Sequence, residues 1–355
     1  MKLAEIELIR QFVKLNIDPE ILKMLPEPII RIDRRTPDCF ILAGSERSWA
    51  LWLHGGREQD LRCWLNFLDE CQNQGFSGFL KPVINQGSDY KQLDQRTWAY
   101  LTEWPAHHHI HFKCSEDIES IVTLICNLKK VRIPTALAEE IKLHYNGPNL
   151  LEQYQTMIKN FHSFQMLAQY RVRPSEFDRL FLSRVRMLLN QADNAYRQLK
   201  DSVYIALINR PERYSLVLTK LSRNNFGRQT NGSLRYLGMN KWGWNLAVSD
   251  LALLISKSGY SNHWSREWFR QVVDYYRSQY PISPEEIEVI RCYLAFPWEQ
   301  YRLAQKYFFN LSDMPLRSYL EKFQRRFADE QQKLLFLNEI SQRYVENNLG
   351  PYRST

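Results

Sequence analysis

The stretch Val217–Gly227, VLTKLSRNNFG, runs from a short apolar segment into a polar loop, the outline of a loop that carries a catalytic acid. The position where such a loop keeps its acid holds Lys220. A protonated lysine has no lone pair to offer and puts positive charge where a metal ion would need neutralising. Between Glu212 and Ser249 there is no Asp or Glu, so no small shift of register restores a carboxylate. A second chemically suggestive stretch is PAHHHIHF, where His107, His108, His109 and His111 offer imidazoles to Zn²⁺ or Ni²⁺. Consecutive residues point different ways, and a stable metal site needs fixed partners behind its ligands, so the alternative is a solvated hinge. The six cysteines contain no CxxC pair, which argues against a zinc ribbon or redox motif and for reduced core thiols. Nothing in their spacing supports a nucleophilic cysteine–histidine pair.

These residues need elements to position them. A chain of 355 residues is long enough for two packed lobes, and 44% hydrophobic with 24% charged residues is ordinary globular composition. Residues 1–26 are expected to form a helix and its breaker, with Leu3, Ile6, Ile9, Phe12 and Val13 on one face and Pro26-Glu27-Pro28 ending it. The runs IIRI, CFILAG and SWALWL then alternate as hairpin strands, and REQDLRCWLNFLDECQNQG has helical spacing up to a C-cap at Gly75. Two more strands are expected near residues 81–84 and 97–104. Beyond PAHHHIHF the period is helical over 116–130, 135–146, 148–169, 174–198, 247–257, 264–279, 284–295, 298–309 and 313–344, interrupted by a small hairpin at 214–246 with its turn at Asn231-Gly232. The expected fold is α+β and two-lobed: an N-terminal helix (1–26), a small antiparallel-sheet lobe (27–105), a hinge (106–112) and a large helical lobe (113–355).

That order of elements is the plan on which kinases transfer a phosphoryl group from ATP. The parts are a lysine on the third strand, a catalytic-loop Asp, a downstream metal-binding Asn, and a further Asp on the metal. Residues 97–131, TWAYLTEWPAHHHIHFKCSEDIESIVTLICNLKKV, and residues 280–308, YPISPEEIEVIRCYLAFPWEQYRLAQKYF with its Phe296-Pro297 junction, resemble the CotS-type spore-coat proteins. These lie within the aminoglycoside-phosphotransferase and choline-kinase-like branch of the protein-kinase fold, and the resemblance extends over about residues 30–345. In that branch the loop reads His-x-Asp with Asn five residues on. Matching its Asn to Asn225 puts Leu218 at the His and Lys220 at the Asp; Gly238, in RYLGMN, falls at the second metal-binding Asp, and Trp52 at the phosphate-gripping lysine. Asn225 alone survives of the four. Asp250, in VSDLALLI, matches a family Asp that opens a helix, where an N-cap role is expected.

The resemblance therefore implies a catalytically inactive kinase-fold protein, a pseudokinase with no cofactor or metal of its own, acting as a scaffold in spore-coat assembly. Its expected place is the mother-cell cytoplasm and the coat, with other coat proteins as partners. The N-terminal stretch carries Glu5 and Glu7 within its apolar pattern and no small-residue cleavage site, which also favours an intracellular location, and no apolar run is long enough to span a bilayer. A formal charge of +8 is spread diffusely and would weakly attract acidic surfaces, nucleic acid or anionic lipid; no nucleic-acid motif accompanies it, and for a scaffold it favours encounter with acidic partners. Trp242 and Trp244 are expected to fill the core, to plug the vacated nucleotide cleft or to face a partner. The alternative function is an atypical ATP-dependent phosphotransferase that uses non-standard residues such as Glu103 or Asp94, or that binds nucleotide without metal.

Overall fold

In chain order the strands are β1 Ile29–Thr36, β2 Cys39–Gly44, β3 Ser48–Gly55, β4 Tyr90–Gln92, β5 Thr97–Glu103, β6 His107–His108, β7 Tyr214–Leu218, β8 Phe226–Gln229, β9 Leu234–Tyr236 and β10 Trp242–Leu246. The helices are α1 Glu58–Asn73, α2 Ser115–Lys129, α3 Thr135–Tyr145, α4 Leu150–Gln169, α5 Glu176–Asp201, α6 Tyr204–Ile208, α7 Ser249–Gly259, α8 Arg266–Gln279, α9 Pro284–Ala295, α10 Trp298–Phe308 and α11 Leu316–Ile340. The computed structural model describes residues 9–10, 12–14, 17, 21, 27–83, 90–145, 147, 149–239, 241–311 and 314–340. Most of the expected N-terminal helix and the last residues of the expected 313–344 helix lie outside these.

The chain forms two compact units, and they do not follow chain order. The first takes the residues up to His111 together with 127–146 and 222–242; the second takes 112–126, 147–221 and the residues from Gly243 onward. Residues expected in the helical lobe, namely α3 and the stretch 222–242, thus belong with the sheet. Their side chains explain why: the Tyr145 hydroxyl of α3 donates to the Asp60 carbonyl of α1 at 2.6 Å, and Trp242 stacks on rings of α1 and α3.

Within the first unit a five-stranded antiparallel sheet has the order β1-β2-β3-β5-β4. The register pairs Phe40 with Leu51 and Leu51 with Leu101, and the period of two puts these on one face. They pack with Phe12, Ile17 and Ile21, so the described N-terminal residues are part of the sheet's core. The next residues along, Cys39, Trp52 and Tyr100, are also paired across β2, β3 and β5, and they turn to the other face. There Trp64 Nε1 of α1 donates to the Tyr100 hydroxyl at 3.2 Å. The strand expected at 81–84 is reduced to a bridge between Pro82 and Thr102, since proline has no N–H to extend a ladder; Ile84 is outside the described residues. A second sheet has the order β6-β8-β9, turning at Gly232 with φ +83. Its β6 replaces part of the solvated hinge expected at 106–112: His107 pairs with Gln229, and Ile110 and Phe112 are buried.

The second unit is helical, with β7 and β10 paired in it. Sequence-local signals set its helix starts: Asn149 caps α4, while Ser175 with Asp178 and Ser283 with Glu286 form capping boxes on α5 and α9. Aromatics fill the interior, with Phe164 stacked on Phe308 at 5.2 Å and Tyr154 on Phe296 at 4.3 Å. The Phe-Pro junction thus works as a packed corner between α9 and α10.

Candidate functional site

Asn225 and Gly238, separated by a hairpin in sequence, are neighbours in the first unit. The Leu237 N–H donates to the Asn225 carbonyl at 2.7 Å, which extends the β8–β9 pairing by one step and brings Gly238 against the Asn225 side chain. A Cβ built on Gly238 would lie 2.7 Å from Asn225 Nδ2 and 2.8 Å from Cζ and the hydroxyl of Tyr236. Space that a longer side chain would need is filled by an amide and a phenol. The Tyr236 hydroxyl donates to the Lys241 carbonyl at 2.9 Å, and Asn225 Oδ1 already accepts from the Ser222 hydroxyl.

An aromatic cluster backs this corner. Trp242 is buried and stacks on Phe67 and Tyr145, both at 4.5 Å between centroids, and on Trp64 at 4.8 Å. Phe79 stands edge-on to Trp64 at 5.5 Å and to Tyr236 at 6.2 Å. Of the three roles expected for Trp242, the packing is that of core filling within the first unit; Trp244 is half-buried.

Trp52 is buried on the α1-facing side of the sheet, where its Nε1 donates to Thr102 Oγ1 at 3.0 Å and its ring stacks on Tyr100 at 6.4 Å. Its cross-strand neighbours offer no anion. Burial pushes the Cys39 thiol up to about 12 and the Tyr100 phenol far above its usual range, so both are neutral.

Arg35, Asp38 and Lys241 were not singled out by sequence. The turn between β1 and β2, Pro37-Asp38, contains no glycine, whereas the kinase plan covers the phosphates with a Gly-rich loop. Here the turn is tied down: Arg35 Nη2 donates to the Asn224 carbonyl, the Arg35 guanidinium lies 4.4 Å over the Trp104 ring, and Lys241 Nζ is 3.8 Å from Asp38. Burial lowers the Arg35 pKa. The available signal was an arginine just before a glycine-free turn.

The remaining expected residues lie elsewhere. Leu218 is buried at the end of β7 and Lys220 is exposed just beyond it, both in the second unit. Asp250 is buried there in the first turn of α7, and the N-cap position belongs to Val248, so the capping role expected for Asp250 is corrected. Its carboxylate helps raise the phenols of Tyr276 and Tyr280, after burial itself. Glu103 is exposed at the end of β5. Asp94 is a turn residue whose carboxylate accepts the Arg96 N–H at 2.7 Å, which lowers its pKa.

His107 is half-buried with Nδ1 3.0 Å from the Pro105 carbonyl, and its ring lies against Gly227, where any Cβ would come within 2.7 Å of it. Burial lowers its pKa, which favours the neutral ring. No group of three metal-binding side chains occurs among the described residues. None of the six cysteines is in a disulfide; five are buried and Cys114 is half-buried.

No protein-family model matches the chain, and no curated protein sequence does. Solved structures do. An aminoglycoside phosphotransferase from Alicyclobacillus acidocaldarius matches with a TM-score of 0.76 at 16% identity, covering 93% of this chain and 97% of that one. A spectinomycin phosphotransferase bound to AMP matches at 0.66 and 11% identity, covering 89% and 96%. A choline kinase from Streptococcus pneumoniae matches at 0.51 and 11% identity, covering 90% and 98%.

The fold is kinase-like. Identities this low carry the fold alone. Strand β3 is the one that bears Trp52, β8 begins directly after Asn225, and Gly238 follows β9. No helix among the described residues is long and apolar enough to cross a membrane.

Proposed function

We propose that this chain is a kinase-fold protein without phosphotransferase activity of its own, a pseudokinase that works by binding. The observation that carries the reading is the packing at Gly238. The kinase-like plan needs a carboxylate beside the downstream Asn to hold Mg²⁺, and that space is taken by the Tyr236 phenol and the Asn225 amide. A Mg²⁺–nucleotide does not fit the residues present: Gly238 has no ligand atom beyond its backbone, Asn225 Oδ1 is engaged by Ser222, Trp52 stands where the lysine would, and the β1–β2 turn is held to Asn224 and Lys241.

The finer reading, a scaffold or interaction component of the bacterial spore coat in the mother cell, rests on the likeness of residues 97–131 and 280–308 to CotS-type proteins. The +8 charge fits acidic partners, since it speeds encounter with them. The test is incubation with labelled ATP and Mg²⁺ or Mn²⁺, with aminoglycoside, choline and the protein itself as acceptors. No transfer above a protein-free control is expected; transfer to any acceptor sinks the reading.

The second reading, an atypical ATP-dependent phosphotransferase, is favoured by the names of the structural neighbours, which are phosphotransferases and a kinase. Arg35 Nη1, buried without a hydrogen-bond partner, is also a donor that an anion could satisfy. Metal-independent nucleotide binding lost in Arg35→Ala distinguishes nucleotide capture from catalysis.

A further inference from the structure

Among the described residues, fifteen large apolar side chains are exposed, and six of them collect at one end of the second unit. Met166 and Leu167 end α4, Tyr170 and Val172 form the turn to α5, and Phe309 and Leu311 follow α10. The two turns are joined. Phe309 packs edge-on to Phe164 at 5.2 Å, and Arg171 Nη1 donates to the Tyr307 hydroxyl at 2.7 Å and to both Asp178 carboxylate oxygens at 3.0 and 3.1 Å. With Arg171 anchored inward, its two neighbours turn outward: Tyr170 is 83% and Val172 96% exposed. Side chains this exposed protrude rather than line a groove, and they are presented by a turn fixed in advance.

The charges around them are unbalanced. Asp178 is matched by Arg171 and Glu321 by Arg317, which leaves Arg173, Arg179, Lys306 and Lys322 against Glu176 among the described residues. A fixed apolar prominence with a tyrosine and a cationic rim matches the chemistry of an anionic lipid surface. The apolar tips enter the headgroup boundary and the cations meet lipid phosphates. We propose that this end of the helical unit docks on anionic membrane surfaces, peripherally and without spanning them. The inference is independent of whether the chain transfers phosphate.

The test is co-sedimentation of the full chain with phosphatidylcholine vesicles, with and without phosphatidylglycerol. Wild type should pellet with the anionic vesicles and release as salt is raised. Tyr170→Asp with Val172→Asp should weaken binding about tenfold or more, and Arg173→Glu with Lys306→Glu should also weaken it. All four side chains are exposed, so far-UV circular dichroism should not change. Three outcomes overturn the proposal: no pelleting with anionic vesicles, equal pelleting with neutral ones, or full binding by the Tyr170–Val172 double variant. Concentration-dependent self-association that the same double variant abolishes would make a second copy the occupant and overturn it too.

Discussion

Two regions of this molecule treat buried charge in opposite ways. Around Asn225 and Gly238 in the first unit, rings and amides fill the space, and on the reading proposed above Gly238, like Trp52 on β3, stands where a kinase-like fold keeps a charge. In the second unit, charges are buried and kept. Lys333 and Glu330 are 2% and 4% exposed at their side chains and bonded to each other. Glu330 also accepts from Gln191 at 2.5 Å and from Gln300 at 2.8 Å, and Lys333 donates to the Phe296 carbonyl at 3.4 Å. Nearby, Glu299 accepts from Lys257 at 2.6 Å and from Arg302 at 2.5 Å. The chain therefore does not avoid buried charge in general. It retains charge where the protein supplies the partners, and on the proposed reading it lacks charge where the partners would have been a metal ion and a triphosphate.

The contrast is broken hardest at Glu330. Glu330→Ala leaves Lys333 buried and unmatched, and should cost about 3–5 kcal/mol in chemical denaturation; a loss under about 1 kcal/mol would mean that the pair does not hold α11 in place.

A smaller loss, about 1–3 kcal/mol from overpacking, is expected for Gly238→Asp. Joined to Lys220→Asp it should still give no ATP turnover, because Trp52 and Tyr236 keep their places; measurable turnover by the double variant would show that the corner opens.

Acid sharpens the comparison further. Burial alone would raise the Glu299 carboxyl, but Lys257 and Arg302 outweigh it and hold it near 2, below its ordinary 4.5. A carboxylate with a depressed folded-state pKa contributes stability that is complete above 4.5 and lost as pH falls toward about 2. The melting temperature should fall across that window and fall less steeply in Glu299→Gln; parallel curves would refute the assignment.

The smallest effect should be that of Lys241→Ala. Its contact with Asp38 is long and partly exposed, so about 1 kcal/mol or less is expected. A larger loss would make the ion pair, rather than the Arg35 contacts, the main tie on the β1–β2 turn.

Much of the fold was legible because its signals are local. Apolar period placed α4, α5, α9 and α10 within a few residues, and Asn231-Gly232 marked the β8–β9 turn. The family resemblance matched Asn225 and Gly238 each to a metal-binding position, and their contact is seen only in the structure. Tertiary choices were not legible. That residues 222–242 join the sheet unit follows from Trp242 meeting Trp64, Phe67 and Tyr145, three rings spread over about 80 positions of sequence that no periodicity connects. The role of Arg35 was not legible for the same reason, since its partners Trp104 and Asn224 are remote in sequence and only its place beside a glycine-free turn was local. The capping role expected of Asp250 failed by two residues, within the ordinary uncertainty of a helix start.

The most direct test of the central claim is a thermal-shift titration of the full-length protein with ATP, with and without Mg²⁺ or Mn²⁺. A ligand that binds the native state must raise the melting temperature. On the proposed reading, none of the described residues packed at the Gly238 corner, Ser222, Asn225, Tyr236 and Gly238, carries a carboxylate for a metal–nucleotide complex, so the melting temperature should stay unmoved by ATP and metal together. A saturable rise that requires both would contradict the claim.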